Sequence, residues 1–217
     1  MIKNVAWLLF IALCAPAFAQ DDMGKKPIYF SIGASYAKSK AHAEAHYAGM
    51  EEKSTLINDM QPSLKIAIGS YFSNNLRAEV FFQQRSAISS SDYSGGITSK
   101  CKAKMYDVGF NSFYTINPNG KTSRVFVGVG LSATSVRPQW EVNGNDLSYL
   151  LWDNKFFATP SAFIGIEWPD ENNKVAMDIT FFYSKTFINR GFSVGGIDYK
   201  IKDITSYGAT LNFRFNL

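Results

Sequence analysis

The chain is poor in the residues that build most small exported domains and most enzymes. It has two cysteines and two histidines in 217 residues. One cysteine, Cys14, lies in the N-terminal segment, so only Cys101 is left for the rest of the chain. A single thiol forms no internal disulfide. His42 and His46 flank Glu44, and neither lies on a predicted membrane strand, so no paired base is placed to activate a hydroxyl. Net charge is also low: 22 Lys and Arg against 18 Asp and Glu give +4, scattered along the chain. That excludes nucleic-acid binding as a reading. Charged residues are 18% and aromatics 15%, so the chain is neither disordered nor strongly acidic. After the N-terminus no apolar run approaches the roughly 20 residues a membrane-spanning helix needs, which excludes an exported helical membrane protein.

The first 19 residues read as a cleaved signal peptide. Lys3 supplies the positive start, Val5 to Phe18 is nearly all apolar, and Ala17-Phe18-Ala19 places small residues where a signal peptidase reads them. Lipidation at Cys14 is the weaker alternative, because Leu13 precedes it where a small residue is wanted. Cleavage after Ala19 leaves 21 Lys and Arg against 18 Asp and Glu, a net of +3. The expected organisation is residues 1–19 as signal peptide and residues 20–217 as one domain.

What the sequence does have is a period of two. Eight runs of about ten to thirteen residues alternate, the pattern of strands with two unlike faces. Apolar faces include Ile28, Phe30, Ile32 and Tyr36 in the first run, Val125, Val127, Val129 and Leu131 in the fifth, and Tyr207, Leu211, Phe213 and Phe215 in the last. The opposite faces are small or polar, as in Ser31-x-Gly33-x-Ser35 and Asp178-x-Thr180.

Three features favour a transmembrane barrel over a soluble sandwich. The runs match tilted membrane strands, whereas soluble strands usually end near five or six residues. Short turn-rich links (Asn74-Asn75, Asn117 to Gly120, Pro169 to Asn173) alternate with long links near 39–61, 89–102, 137–155 and 188–202. That is the rhythm of periplasmic turns and external loops. Aromatics gather at the strand ends, with Phe72, Tyr114, Trp168, Phe213 and Phe215 toward one rim and Tyr36, Tyr106 and Tyr183 toward the other. The expected fold is an all-β, eight-stranded, antiparallel up-and-down transmembrane β-barrel. Gly95-Gly96, Asn143-Gly144 and Gly195-Gly196 could turn hairpins that carry the strands beyond the membrane. Pro160 conflicts with a closed ladder, and predicts a bulge or a strand that starts only after it.

These runs, links and the terminal segment resemble the small eight-stranded outer-membrane barrels: the OmpA transmembrane domain, OmpX, the opacity proteins and bacterial surface antigens. Ser206-x-Gly208-x-x-Leu211-x-Phe213 looks like the insertion signal that ends such barrels, although the chain runs on to Leu217 instead of ending in Phe. The resemblance implies a cell-outer-membrane location. It also implies lipid and lipopolysaccharide as neighbours, the barrel-assembly machinery as a partner of the last strand, and a possible external macromolecular partner. No cofactor and no metal are expected.

Candidate residues fall in two groups. Arg77, Glu79, Glu167, Asp178 and Arg214 point inward near the periplasmic end, where buried charges must pair. Trp140, Tyr149, Trp152, Phe192 and Tyr199 lie in the third and fourth long links as candidate external contacts. His42, Glu44 and His46 are the most metal-like stretch, read here as a solvated part of the first external link. Lys100 and Lys102 flank Cys101, an unpaired thiol of the second. The reading is a structural or partner-binding surface barrel. A narrow pore is the alternative, and a lipid-modifying enzyme is the more remote one, since no catalytic set is present.

Overall fold

A computed structural model describes residues 28–47, 50–57, 61–94, 97–120, 122–142, 144–146, 155–170, 174–194 and 197–217. The described chain contains strands and turns and no helix. The strands are β1 (Ile28–Tyr47), β2 (Met50–Ile57), β3 (Gln61–Tyr71), β4 (Leu76–Ser94), β5 (Ile97–Thr115), β6 (Arg124–Val142), β7 (Asn145–Asp146), β8 (Lys155–Pro169), β9 (Val175–Val194) and β10 (Ile197–Asn216). β2 and β3 run along the same side of β1 and together form one stave, and β7 is a two-residue return beside β6. All pairings are antiparallel, and β10 pairs with β1. The result is a closed barrel of eight staves.

The register fixes the barrel's shape. A path across the strands leaves β1 at Tyr29 and passes Gly69, Glu79, Asn111, Gly130, Ser161, Ser184 and Ser206. It returns to β1 at Ser39, ten residues further on. Eight strands with that stagger tilt by about 40° from the axis and leave an interior that side chains can fill.

Alternation decides which residues meet lipid. Outward positions stay exposed although they are apolar: Val129 is 66% exposed, Leu64 65% and Ile68 62%. So broad an apolar surface is incompatible with water. It forms the lipid-facing wall, and Tyr36, Tyr183 and Tyr207 point outward near its external rim.

Among the described residues the long links are mostly strand. β4 and β5 stay paired to Ser94↔Ile97, and β9 and β10 to Val194↔Ile197, so each pair closes around a two-residue gap at a Gly-Gly sequence. Val142 pairs with Asn145, and Gly144 before that partner has φ 82°, a conformation glycine adopts without strain. Register shifts cluster where the strands leave the membrane, between Arg85 and Ile88, His42 and Ala43, and Ile201 and Asp203. Opposite the last of these, Asn189 adopts φ 47°.

Pro160 contradicts its sequence expectation. β8 begins five residues before it, and Pro160 pairs with Leu131 with no shift of register. The reason lies on the other side of the strand. β8 pairs with β9 only from Ser161↔Ser184 onward, so Pro160 stands at a local edge with no neighbour there to receive an N–H.

Candidate functional site: the lumen and the external rim

The inner face is layered. At the periplasmic end an ionic floor joins charged residues from four staves. The Arg77 guanidinium donates to Glu167, and Arg214 Nη2 donates to Glu167 Oε2 at 2.9 Å and to Asp178 Oδ2 at 3.1 Å. Arg214 also donates to the Tyr71 hydroxyl at 2.5 Å, and Asn212 donates to Asp178 at 2.7 Å. Arg214 is 2% exposed and Glu167 2%. Of the five inward charges expected from the sequence, the structure brings four into one cluster. The fifth, Glu79, sits one layer deeper and pairs with Lys65, with Asn111 donating to it at 2.9 Å.

Aromatic rings complete this floor, and the parity reading missed them when it called the inner faces small or polar. Tyr29, Phe81, Phe113 and Phe126 are all buried inside. Arg77 lies between two of them, its guanidinium carbon 4.7 Å from the Phe113 ring and 4.4 Å from Phe126. Cation–π contact of this kind offsets part of the cost of burying the charge. The rings need room: Phe113 lies against Gly128 and Phe126 against Gly165, where an added Cβ would come within 2.5 Å and 2.4 Å of ring carbons. A Phe at an inward position opposite a Gly was a signal open to sequence reading.

Above the floor is a cavity of about 40 Å³, bounded among others by Asn111, Phe163, Phe182 and Asn212. That is room for a few waters. The next layer is polar. Arg85 grips Asp107 with two bonds of 2.6 and 2.8 Å and donates to Ser206 at 3.1 Å. The hydroxyls of Thr134, Thr159 and Thr186 continue this layer in a chain, at 2.6 and 2.9 Å. A roof of Ala41, Met105, Val136, Phe157, Ile188 and Ile204 then closes the external end.

The remaining candidates lie outside this lumen. His42 Nδ1 is 2.7 Å from an Asp203 carboxylate oxygen, and Lys185 binds the other oxygen at 3.0 Å. Partial burial pushes the Asp203 carboxyl up, but hydrogen bonds from His42 and Lys185 outweigh it and hold it below its usual range. Glu44 pairs with Lys202, and His46 is exposed. Thus the three polar residues of the metal-like stretch do not converge, and among the described residues no three His, Cys, Asp or Glu side chains could share an ion. Tyr149 and Trp152 lie outside the described residues, as do the side chains of Trp140, Phe192, Tyr199 and Cys101.

Similarity to known proteins agrees with this architecture. No curated protein sequence matches the chain. Among solved structures, it is similar to Neisserial surface protein A, with 16% identity, TM-score 0.50, and 87% of this chain and 97% of that one covered. It is also similar to OprG of Pseudomonas aeruginosa, with 12% identity, TM-score 0.52, and 91% and 100% covered. A third is the outer membrane protein AlkL, with 10% identity, TM-score 0.50, and 91% and 94% covered. At such identities the likeness concerns the fold alone. The sequence profile described as "Outer membrane protein beta-barrel domain" matches residues 5–217. With an apolar outer wall, a closed ring of strands and that match, the chain belongs to the outer-membrane β-barrel family.

Proposed function

We propose that the protein is a surface-exposed barrel of the outer membrane whose work is done by its external hairpins. The observation that carries this reading is the contrast between a filled interior and strands that continue past the lipid wall. β4–β5 and β9–β10 remain paired to their tips, while floor, polar layer and roof occupy the lumen. A wall committed to lipid and a lumen committed to packing leave the hairpins free for recognition. Trp140, Tyr149, Trp152, Phe192 and Tyr199 are the proposed anchors, since Trp and Tyr bind well at low entropic cost. Residues 1–19 serve as the export signal, and the Ser206 to Phe213 segment presents the chain to the assembly machinery. Neisserial surface protein A, whose fold is similar, is named as a surface protein.

The test is to replace residues 140–152 and 190–200, which hold the proposed anchors and spare Arg137 and the roof residue Ile188, with tight turns. Insertion and heat-dependent gel mobility should persist while binding to cells or envelope components is lost. A shortened barrel that keeps every interaction would put function in the barrel itself. N-terminal sequencing of the mature protein should begin at Gln20.

A further inference from the structure

Lys104 on β5 and Arg137 on β6 are directly paired across the sheet. Both are exposed on the outward face, while Met105 and Val136 beside them point into the roof. Directly opposed residues have Cβ atoms about 5 Å apart, and like charges there repel. Neither side chain has a carboxylate partner among the described residues, whereas Lys185 and Lys202 near the same rim each hold one. What surrounds the pair is aromatic. The Arg137 guanidinium lies 5.3 Å from the Tyr106 ring, and Tyr106 stacks on Phe82 at 6.4 Å and 24°.

From this geometry we infer that Lys104 and Arg137 form a clamp for the phosphate of an outer-leaflet glycolipid. Two adjacent cations with no counter-ion among the described residues are a costly arrangement that a bound dianion would reverse, and Arg and Lys bind phosphate oxygens through charge-assisted hydrogen bonds. Depth selects a lipid over a free anion. Lys104 stands two residues beyond Tyr106, about 5 Å higher along the tilted strand, at headgroup level. Below it the wall continues as Phe82, Val108 and Leu131, all exposed and apolar, where acyl chains would lie. The clamp needs only the membrane placement of the barrel and is independent of any role for the hairpins.

The test uses the full-length protein in detergent, with lipid adducts read by native mass spectrometry. Bisphosphorylated lipid A should bind the unmodified protein. The K104Q/R137Q variant should bind at least about tenfold more weakly, roughly the loss of one charge-assisted contact. K38Q, which removes a cation on β1 at the far side of the barrel, should bind normally. Lipid A stripped of phosphate should bind the unmodified protein only as weakly as the double variant, and inorganic phosphate should not displace the intact lipid. Stability supplies an independent readout. R137Q should raise the unfolding temperature without lipid A, by relieving repulsion, and lower it relative to the unmodified protein when lipid A is present. Equal lipid A binding by K104Q/R137Q, displacement by inorganic phosphate, or an R137Q variant less stable in both conditions would each overturn the clamp.

Discussion

The two ends of the lumen are closed by opposite chemistry. The periplasmic floor is ionic: Arg77, Arg214, Glu167 and Asp178 meet in a ring of aromatic side chains, with almost no water contact. The external roof is apolar, built from side chains such as Met105, Val136, Phe157 and Ile188. The difference teaches where each closure gets its strength. A buried charge network is intolerant of losing one member, because the remaining charges lose their compensation. An apolar roof near a solvated rim loses only contact area and can partly collapse.

This comparison orders the expected effects. Arg214→Met should be the most damaging change, since it takes the paired guanidinium from Asp178 and one of the arginines from Glu167. We expect a loss of about 3–5 kcal/mol in a reversible lipid-folding assay. The double change Arg214→Met with Asp178→Asn should cost less than the sum of the single ones, and additive costs would mean that the floor is not coupled. Val129→Arg tests the wall instead of the lumen. A charge on the lipid face near mid-bilayer should cost about 2–4 kcal/mol, against roughly 1 kcal/mol for Ser132→Ala on the inner face. Comparable losses would show that inside and outside are exchanged by one residue. In the roof, Met105→Ala should cost about 2 kcal/mol, the low end for a buried truncation, because the rim can relax. A cost as large as that of Arg214→Met would remove the distinction between the ends.

The smallest effect concerns pH outside the membrane. The Asp203 carboxyl is held low in the folded barrel, so its contribution to stability is present above its unfolded value of about 3.9. That contribution should fade as pH falls through the lower folded value. Its partners His42 and Lys185 are both open to solvent, which screens the pair, so the gain is below about 1 kcal/mol. Unfolding compared between the unmodified protein and Asp203→Asn should differ at pH 6 and converge in strong acid. A difference that grew in acid would reverse the sign of the account.

Much of this was readable from residue parity. Positions such as Ile32, Val129 and Phe213 were assigned outward from alternation alone, and all are exposed. Parity names a face but not a neighbour across the lumen. Arg77 and Glu167 are 90 residues apart and meet because a stagger of ten brings β4 and β8 to one level. Nothing local in the sequence encodes that stagger; the pairs Glu79–Lys65 and Arg85–Asp107 join neighbouring strands but reach diagonally, past the residues directly opposite, which parity does not show either. Phe113 and Phe126 were overlooked because an aromatic residue on a polar parity counts as noise until the glycine opposite it is noticed. Pro160 misled because the ladder rule assumes a neighbour on both sides, and β9 pairs only from the next residue onward.

The central claim is that floor, polar layer and roof seal the interior. Single-channel recording of the purified full-length protein in a planar bilayer tests it most directly. A lumen filled by these layers, with a cavity of only about 40 Å³ among them, predicts a silent membrane with correctly folded, heat-shifting protein inserted in it. Sustained, reproducible conductance steps from that folded species would contradict the sealed lumen and return the barrel to the narrow-pore reading.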